Sequence, residues 1–202
     1  MKKIPNRKTI RLANYDYSQE GSYFITLCTH RRQHIFGEIR NGIMGLNPLG
    51  LIAYEEWEKT ALIRPQVSLG ACMIMPNHMH GIIHINEKIP SKIAPGKFQS
   101  PSQTVGAIIR GYKSAATTRI KALLREDSSP SSTDELTFAP TIEKVLKSKI
   151  DLSKSIWQRN YYEHIIRNPV SYQIIANYIW NNPMKWTVDK FYKQKPFETI
   201  PL

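Results

Sequence analysis

Residues 67–85, VSLGACMIMPNHMHGIIHI, contain two apolar runs separated by Pro76-Asn77. The first, Val67 to Met75, alternates as a strand does, with Val67, Leu69, Ala71 and Met73 expected on one face. Proline followed by asparagine is turn chemistry, so the chain should reverse into a second strand, Met79 to Ile85, and close a hairpin. Successive strand residues point to opposite faces. Met79, Gly81, Ile83 and Ile85 therefore form an apolar face, and His78 and His80 project side by side from the other. Two neutral imidazoles so placed are a bidentate platform for a divalent metal. His84 shares their parity but lies too far along the strand to be a third ligand.

Towards the N-terminus, Ser22 to Thr29 reads as a strand, residues 30–34 as a polar turn and residues 41–50 as a glycine-rich turn. Asn47-Pro48 is a cap followed by a first-turn proline, and Leu49, Ala53, Trp57 and Ala61 recur at helical spacing to about Ile63. Towards the C-terminus, residues 86–103 read as a loop. A helix over 103–124 carries Val105, Ile108, Ile109, Tyr112, Ala116, Ile120 and Leu123 on its apolar side. Residues 125–150 open with a polar, serine-rich run and read as an insertion, and Tyr161 to Ile166 as a short strand. Asn168-Pro169 repeats the cap signature before a final helix to about Asn182, with Val170, Ile174, Ile175, Tyr178 and Ile179 expected as its buried stripe. The order of elements predicts an α+β domain, ferredoxin-like, with an antiparallel sheet and helices on one face. Residues 1–20 would be a basic arm, residues 21–186 the domain and residues 187–202 a short tail.

Lys plus Arg number 28 against 16 Asp plus Glu, a formal charge of +12 that draws polyanions, above all nucleic acid. No apolar run is long enough to span a membrane and the start lacks a signal peptide, so a cytoplasmic protein is expected. Cys28 and Cys72 read as small buried hydrophobes in a reducing compartment. No HExxH, paired CxxC, P-loop or G-x-S-x-G motif occurs, which sets aside zinc hydrolases, zinc fingers, nucleotide-driven motors and serine hydrolases of that type.

In the final helix Asn182 lies one turn beyond Tyr178, a pair able to present a phenol and an amide oxygen to one metal. With ten tyrosines in the chain, helix geometry does not choose among them. Three stretches taken together do more: Asn77-His78-Met79-His80, then IWQRNYYEHIIRN over 156–168, then YIWNNPMKW over 178–186. In this order they closely resemble the single-tyrosine HUH transposases, and among those the REP-associated tyrosine transposases, over about residues 20–186.

The resemblance implies that His78 and His80 bind the catalytic metal, magnesium or manganese, and that Tyr178 is the nucleophile. It also implies that Asn182 completes the metal site, where relatives often carry glutamine. The substrate would be single-stranded or hairpin DNA, cut and rejoined through a 5′-phosphotyrosine by a monomer or homodimer. Arg31, Arg32, Arg110, Lys113 and Arg159 are expected to meet the phosphate backbone, with Tyr112, Trp157 and Tyr161 stacking unpaired bases. A hairpin-binding protein without nuclease activity and an RNA-binding protein are the alternatives that the charge equally permits.

Overall fold

The computed structural model describes residues 12, 15–87, 104–126 and 150–192. Most of the arm, residues 88–103 and 127–149 of the two loops, and the tail beyond 192 lie outside the described residues. Strands β1 (Gly21–Cys28), β4 (Val67–Met75), β5 (His78–Ile85) and β6 (Tyr162–Ile166) form one antiparallel sheet in the order β4-β5-β1-β6. Helix α1 (Pro48–Leu62) lies between the first two of these in sequence, and α2 (Val105–Glu126) between the last two. This is the ferredoxin-like βαββαβ arrangement. Among the described residues no helix is long and apolar enough to cross a membrane.

Local chemistry sets the helix starts. Asn47 Oδ1 accepts from the Gly50 amide at 3.0 Å, and Pro48 follows it. Asn168 Oδ1 likewise accepts from the Ser171 amide at 2.8 Å, ahead of Pro169 and helix α3 (Pro169–Trp180). Each cap satisfies an amide that has no partner within its helix.

Helices α1 and α2 cover one face of the sheet, where Tyr23, Ile25, Leu27, Met79, Ile83 and Ile85 meet Trp57, Ile108 and Tyr112 in the main core. Helix α3 does not join them. Its Ala176 and Ile179 pack on Phe24, Ala71, Ile82 and Ile166 across the sheet, so helices lie on both faces rather than one. The stripe also turns. Val170 and Ile174 are 69% and 64% exposed, while Ala176 and Ile179 are buried with Tyr172 and Ile175 beside them. Ala176 is fully buried on the sheet, and Tyr178, 39% exposed, lies at the margin of the buried face.

A β-bulge corrects the expected face of β4. Leu69 opposes Ile83 and Cys72 opposes Gly81, so one extra residue enters between them and side-chain parity switches. Val67 and Leu69 belong to the main core, and Ala71 and Met73 to the α3 side. Residues 37–46, of which the sequence reading assigns only 41–46, as part of a glycine-rich turn, form a second hairpin, β2 (Gly37–Arg40) and β3 (Ile43–Leu46). Its turn is Asn41-Gly42, both with positive φ (52° and 75°), as a two-residue turn between twisted strands requires.

Gly81 packs closely against the main core. A Cβ there would lie 2.4 Å from Cζ2 of the fully buried Trp57, itself wedged edge-on against Tyr112 at 5.4 Å. Gly81→Ala is expected to destabilise the fold by about 3 kcal/mol through overpacking. A fall in the urea unfolding midpoint checks it, and an unchanged midpoint contradicts this packing.

Candidate metal and nucleophile site

The β1–β5 register sets Cys28 against His78, Thr26 against His80 and Phe24 against Ile82, all on the face that α3 covers. His78 and His80 are buried (0% and 1% exposed), not displayed on a half-solvated strand. Their Nε2 atoms lie 3.2 Å apart. Each Nδ1 is held from behind: His78 by Asn77 Oδ1 at 2.8 Å, His80 by Thr26 Oγ1 at 2.8 Å.

Asn77 fixes the tautomer of His78. Its amide nitrogen donates to the carbonyls of Phe191 (3.0 Å) and Arg32 (3.3 Å), which turns its oxygen towards Nδ1. An amide oxygen only accepts, so Nδ1 carries the proton and Nε2 presents a lone pair. Burial, and for His78 the neighbouring His80 imidazole, pushes the histidines down to about 2 (His78) and about 3 (His80), so both are neutral at physiological pH.

This has a consequence for stability. In the unfolded chain each imidazole titrates near 6.5, so below that pH the unfolded state takes up as many as two protons that the folded state refuses. The stabilisation is complete above pH 6.5 and is lost as pH falls towards the folded values. In chelator-containing buffer, folding stability is expected to fall by up to about 2.7 kcal/mol per pH unit below 6.5. Urea titrations between pH 7 and 5, where most carboxylates stay ionised, check it. A flat midpoint there contradicts the buried neutral pair.

Tyr178 lies in the second half of α3 and is 39% exposed. Its hydroxyl is 3.2 Å from His80 Nε2, and its ring lies 5.2 Å from the His80 ring and 6.1 Å from Phe24. Burial and the Asp189 carboxylate hold the phenol above its ordinary value, with the Asn182 amide acting the other way. Left to itself this phenol is protonated, and a phenol is a weak nucleophile.

Asp189 was not singled out from the sequence. It follows the 3₁₀ segment Pro183–Val188, and its carboxylate and the two imidazoles offer ligand atoms all within 4.8 Å of one another. The Asp189 Oδ2 accepts from Asn182 Nδ2 at 3.2 Å, and Oδ1 accepts from the Phe191 amide at 2.6 Å. Asn182 Oδ1 is buried without a hydrogen-bond partner. Two imidazole nitrogens, a carboxylate and an orphaned amide oxygen are a donor set that fits a divalent cation. Residues 187–192 thus belong to the folded body, although the sequence had ended the domain at 186: Phe191 packs 4.6 Å from the His78 ring and Trp186 5.9 Å.

Of the five cations expected at DNA, the structure brings Arg32 to the site, its guanidinium 5.0 Å over the Phe191 ring. Arg31 is exposed and lines a cavity with Gln33, Asp151 and Lys154 that neither His78 nor His80 borders. Arg110 is exposed on α2, across the sheet from the site. Lys113 donates to the carbonyls of Gln158 (2.8 Å) and Asn160 (3.3 Å), fastening the segment before β6, and burial brings it down to about 8. Arg159 is exposed on that segment. Lys190, absent from the expectation, places its ammonium 5.0 Å over the Phe191 ring. Tyr112 and Trp157 are buried in the main core, and Tyr161 lies partly buried under Lys113, so none of the three is a free stacking surface.

No family model matches the chain. Over 197 residues it is 38% identical to an uncharacterized protein of Haemophilus influenzae, the match covering 94% of either chain. The structure superposes on that of a REP-associated tyrosine transposase bound to a REP hairpin with a TM-score of 0.53 and 20% identity, over 90% of this chain and 77% of the other. The chain therefore belongs to one family with the Haemophilus influenzae protein, and its fold is that of a REP-associated tyrosine transposase.

Proposed function

We propose that the chain is a metal-dependent transposase of single-stranded DNA that cuts and rejoins a strand through Tyr178. The observation that carries this is the meeting of a half-exposed phenol, 3.2 Å from His80 Nε2, with a His78–His80–Asp189 cluster at one end of the sheet. His78 and His80, through Nε2, and Asp189 would hold a magnesium or manganese ion, with the orphaned Oδ1 of Asn182 available as a further ligand. Such an ion, when bound, supplies Lewis-acid polarisation of a phosphoryl oxygen.

The chain's own groups do the rest. The Tyr178 oxygen attacks phosphorus and loses its proton. The bond to the 3′ oxygen breaks and that oxygen takes up a proton, leaving a 5′-phosphotyrosine and a free 3′-OH. A 3′-OH attacking the phosphotyrosine reverses the exchange and reseals the strand. Asn77 and Thr26 hold the imidazoles in orientation, and Asn182 holds Asp189. Arg32 and Lys190 lie on the rim, where phosphates flanking the cut would pass.

The structural neighbour is bound to a REP hairpin, and we propose hairpin DNA as the substrate here as well. A cytoplasmic location belongs to the same proposal. The net charge of +12 predicts that hairpin affinity falls steeply with salt, with a slope near 0.7 per neutralised single-strand phosphate. Fluorescence titrations at several salt concentrations measure the slope, and an affinity indifferent to salt contradicts it. Catalysis is tested by incubating the protein with labelled hairpin DNA and manganese. A covalent protein–DNA adduct is expected, and binding with neither adduct nor cut strand overturns the proposal.

A further inference from the structure

The sheet carries an aromatic ring beside this site that the chemistry above does not use. Among the described residues strand β6 is an edge strand of the sheet, and its Tyr162 pairs with Thr26, which in turn pairs with His80. The three stand in one cross-strand row, so Tyr162 lies about 10 Å from His80 along the hydrogen-bonding direction. Phe24 fills the interval, its ring 6.2 Å from Tyr162, 5.2 Å from His80 and 6.1 Å from Tyr178. Tyr162 is 51% exposed, and the Lys190 ammonium sits 5.9 Å over its ring.

We infer that Tyr162 and Lys190 form a subsite for one unpaired nucleotide next to the scissile phosphate, the base stacking on the Tyr162 ring and Lys190 taking the adjoining phosphate. The inference rests on the reading of this face as a single-stranded DNA site. A cation over an exposed ring contributes about two- to fivefold in binding. A base stacked on the same ring contributes about 5- to 150-fold. Arriving DNA therefore displaces the ammonium from the ring, and a phosphate beside the base gives that charge a stronger partner. Among the described residues no strand pairs with the outer edge of β6, and Phe24 buttresses the Tyr162 ring from the interior. Because stacking tolerates any base, the subsite sets the distance from base to nucleophile and reads no sequence.

The probe is a short single-stranded oligonucleotide of 5-iododeoxyuridine, bound in EDTA so that no cleavage intervenes, and photocrosslinked. The crosslink is expected on Tyr162 by peptide mapping. Tyr162→Ala is expected to weaken binding about 5- to 150-fold and to shift the crosslink elsewhere. Tyr162→Trp keeps the affinity, which separates stacking from any structural role of the ring. Lys190→Ala is expected to lower the salt slope by about 0.7 while the crosslink stays on Tyr162. Wild-type binding with the crosslink on another residue, or Tyr162→Ala binding as tightly as wild type, overturns the subsite and leaves the DNA reading standing. Failure of the wild-type chain to bind at all overturns both.

Discussion

Tyr178→Phe is expected to form no covalent adduct with hairpin DNA while it binds that DNA as wild type does. The substitution removes one oxygen and keeps the ring, so the contacts with Phe24 and the His80 imidazole persist. The lost hydrogen bond to His80 is part-buried and neutral, and should change stability by only about 1 kcal/mol. Tyr172→Phe is the control. Its ring lies tilted against His84 at 5.6 Å, further along the same strand, and Ser22 holds that imidazole at 2.7 Å, so loss of the Tyr172 hydroxyl should leave the adduct intact. Denaturing gels with labelled hairpin and manganese read both variants. Full adduct from Tyr178→Phe contradicts the assignment of the nucleophile.

His78→Ala and His80→Ala are expected to lose manganese binding and cleavage together. Residues that merely orient a metal ligand cost about 10- to 100-fold in affinity when removed, so loss of a ligand itself should exceed about 100-fold. Asp189→Asn, which keeps shape and removes charge, is expected to weaken the metal by a similar factor. Both imidazoles are enclosed, His78 against Trp186 and Phe191, so alanine should also cost about 2 kcal/mol or more of stability. The near-isosteric His78→Asn and His80→Gln therefore accompany the alanines, with urea unfolding as the control for folding. Calorimetric titration that finds wild-type manganese affinity in a folded variant contradicts the site.

What was legible in the sequence were features fixed by neighbours in the chain. Asn47-Pro48 and Asn168-Pro169 announce helices because a cap and a first-turn proline act within four residues. Pro76-Asn77 announces the hairpin, and strand parity then puts His78 and His80 side by side. What was hidden was set by packing between distant segments. The extra residue in β4 shows no local signature beyond Gly70 itself, because a bulge answers to the partner strand. Helix α3 is apolar on two adjacent stripes, and packing of Ala176 and Ile179 on the sheet decides which one is buried. Asp189 lies beyond the last periodic element, seven residues after Asn182, and reaches the histidines only because the 3₁₀ segment doubles the chain back. Asn41-Gly42 is the exception: it reads as a turn from the sequence, and the two short strands that it joins are a local hairpin signal that the turn reading leaves out.

Charge followed the same division. The excess of basic residues was evident from composition, yet of the five cations expected at DNA, Arg32 alone is brought against the histidines. Lys113 is held by two backbone carbonyls. Lys190 presses on both imidazoles with its charge, and its place follows from the same return of the chain that delivers Asp189.

The central claim is that one phenol and one cluster of histidines and aspartate act together on a DNA strand. The most direct measurement traps the adduct between the wild-type chain and a labelled hairpin in manganese, digests it and maps the DNA-bearing peptide, with a parallel sample in EDTA. DNA linked to Tyr178 in manganese, and no adduct in EDTA, is the predicted result. DNA on any other residue, or an adduct that forms equally well in EDTA, would contradict it.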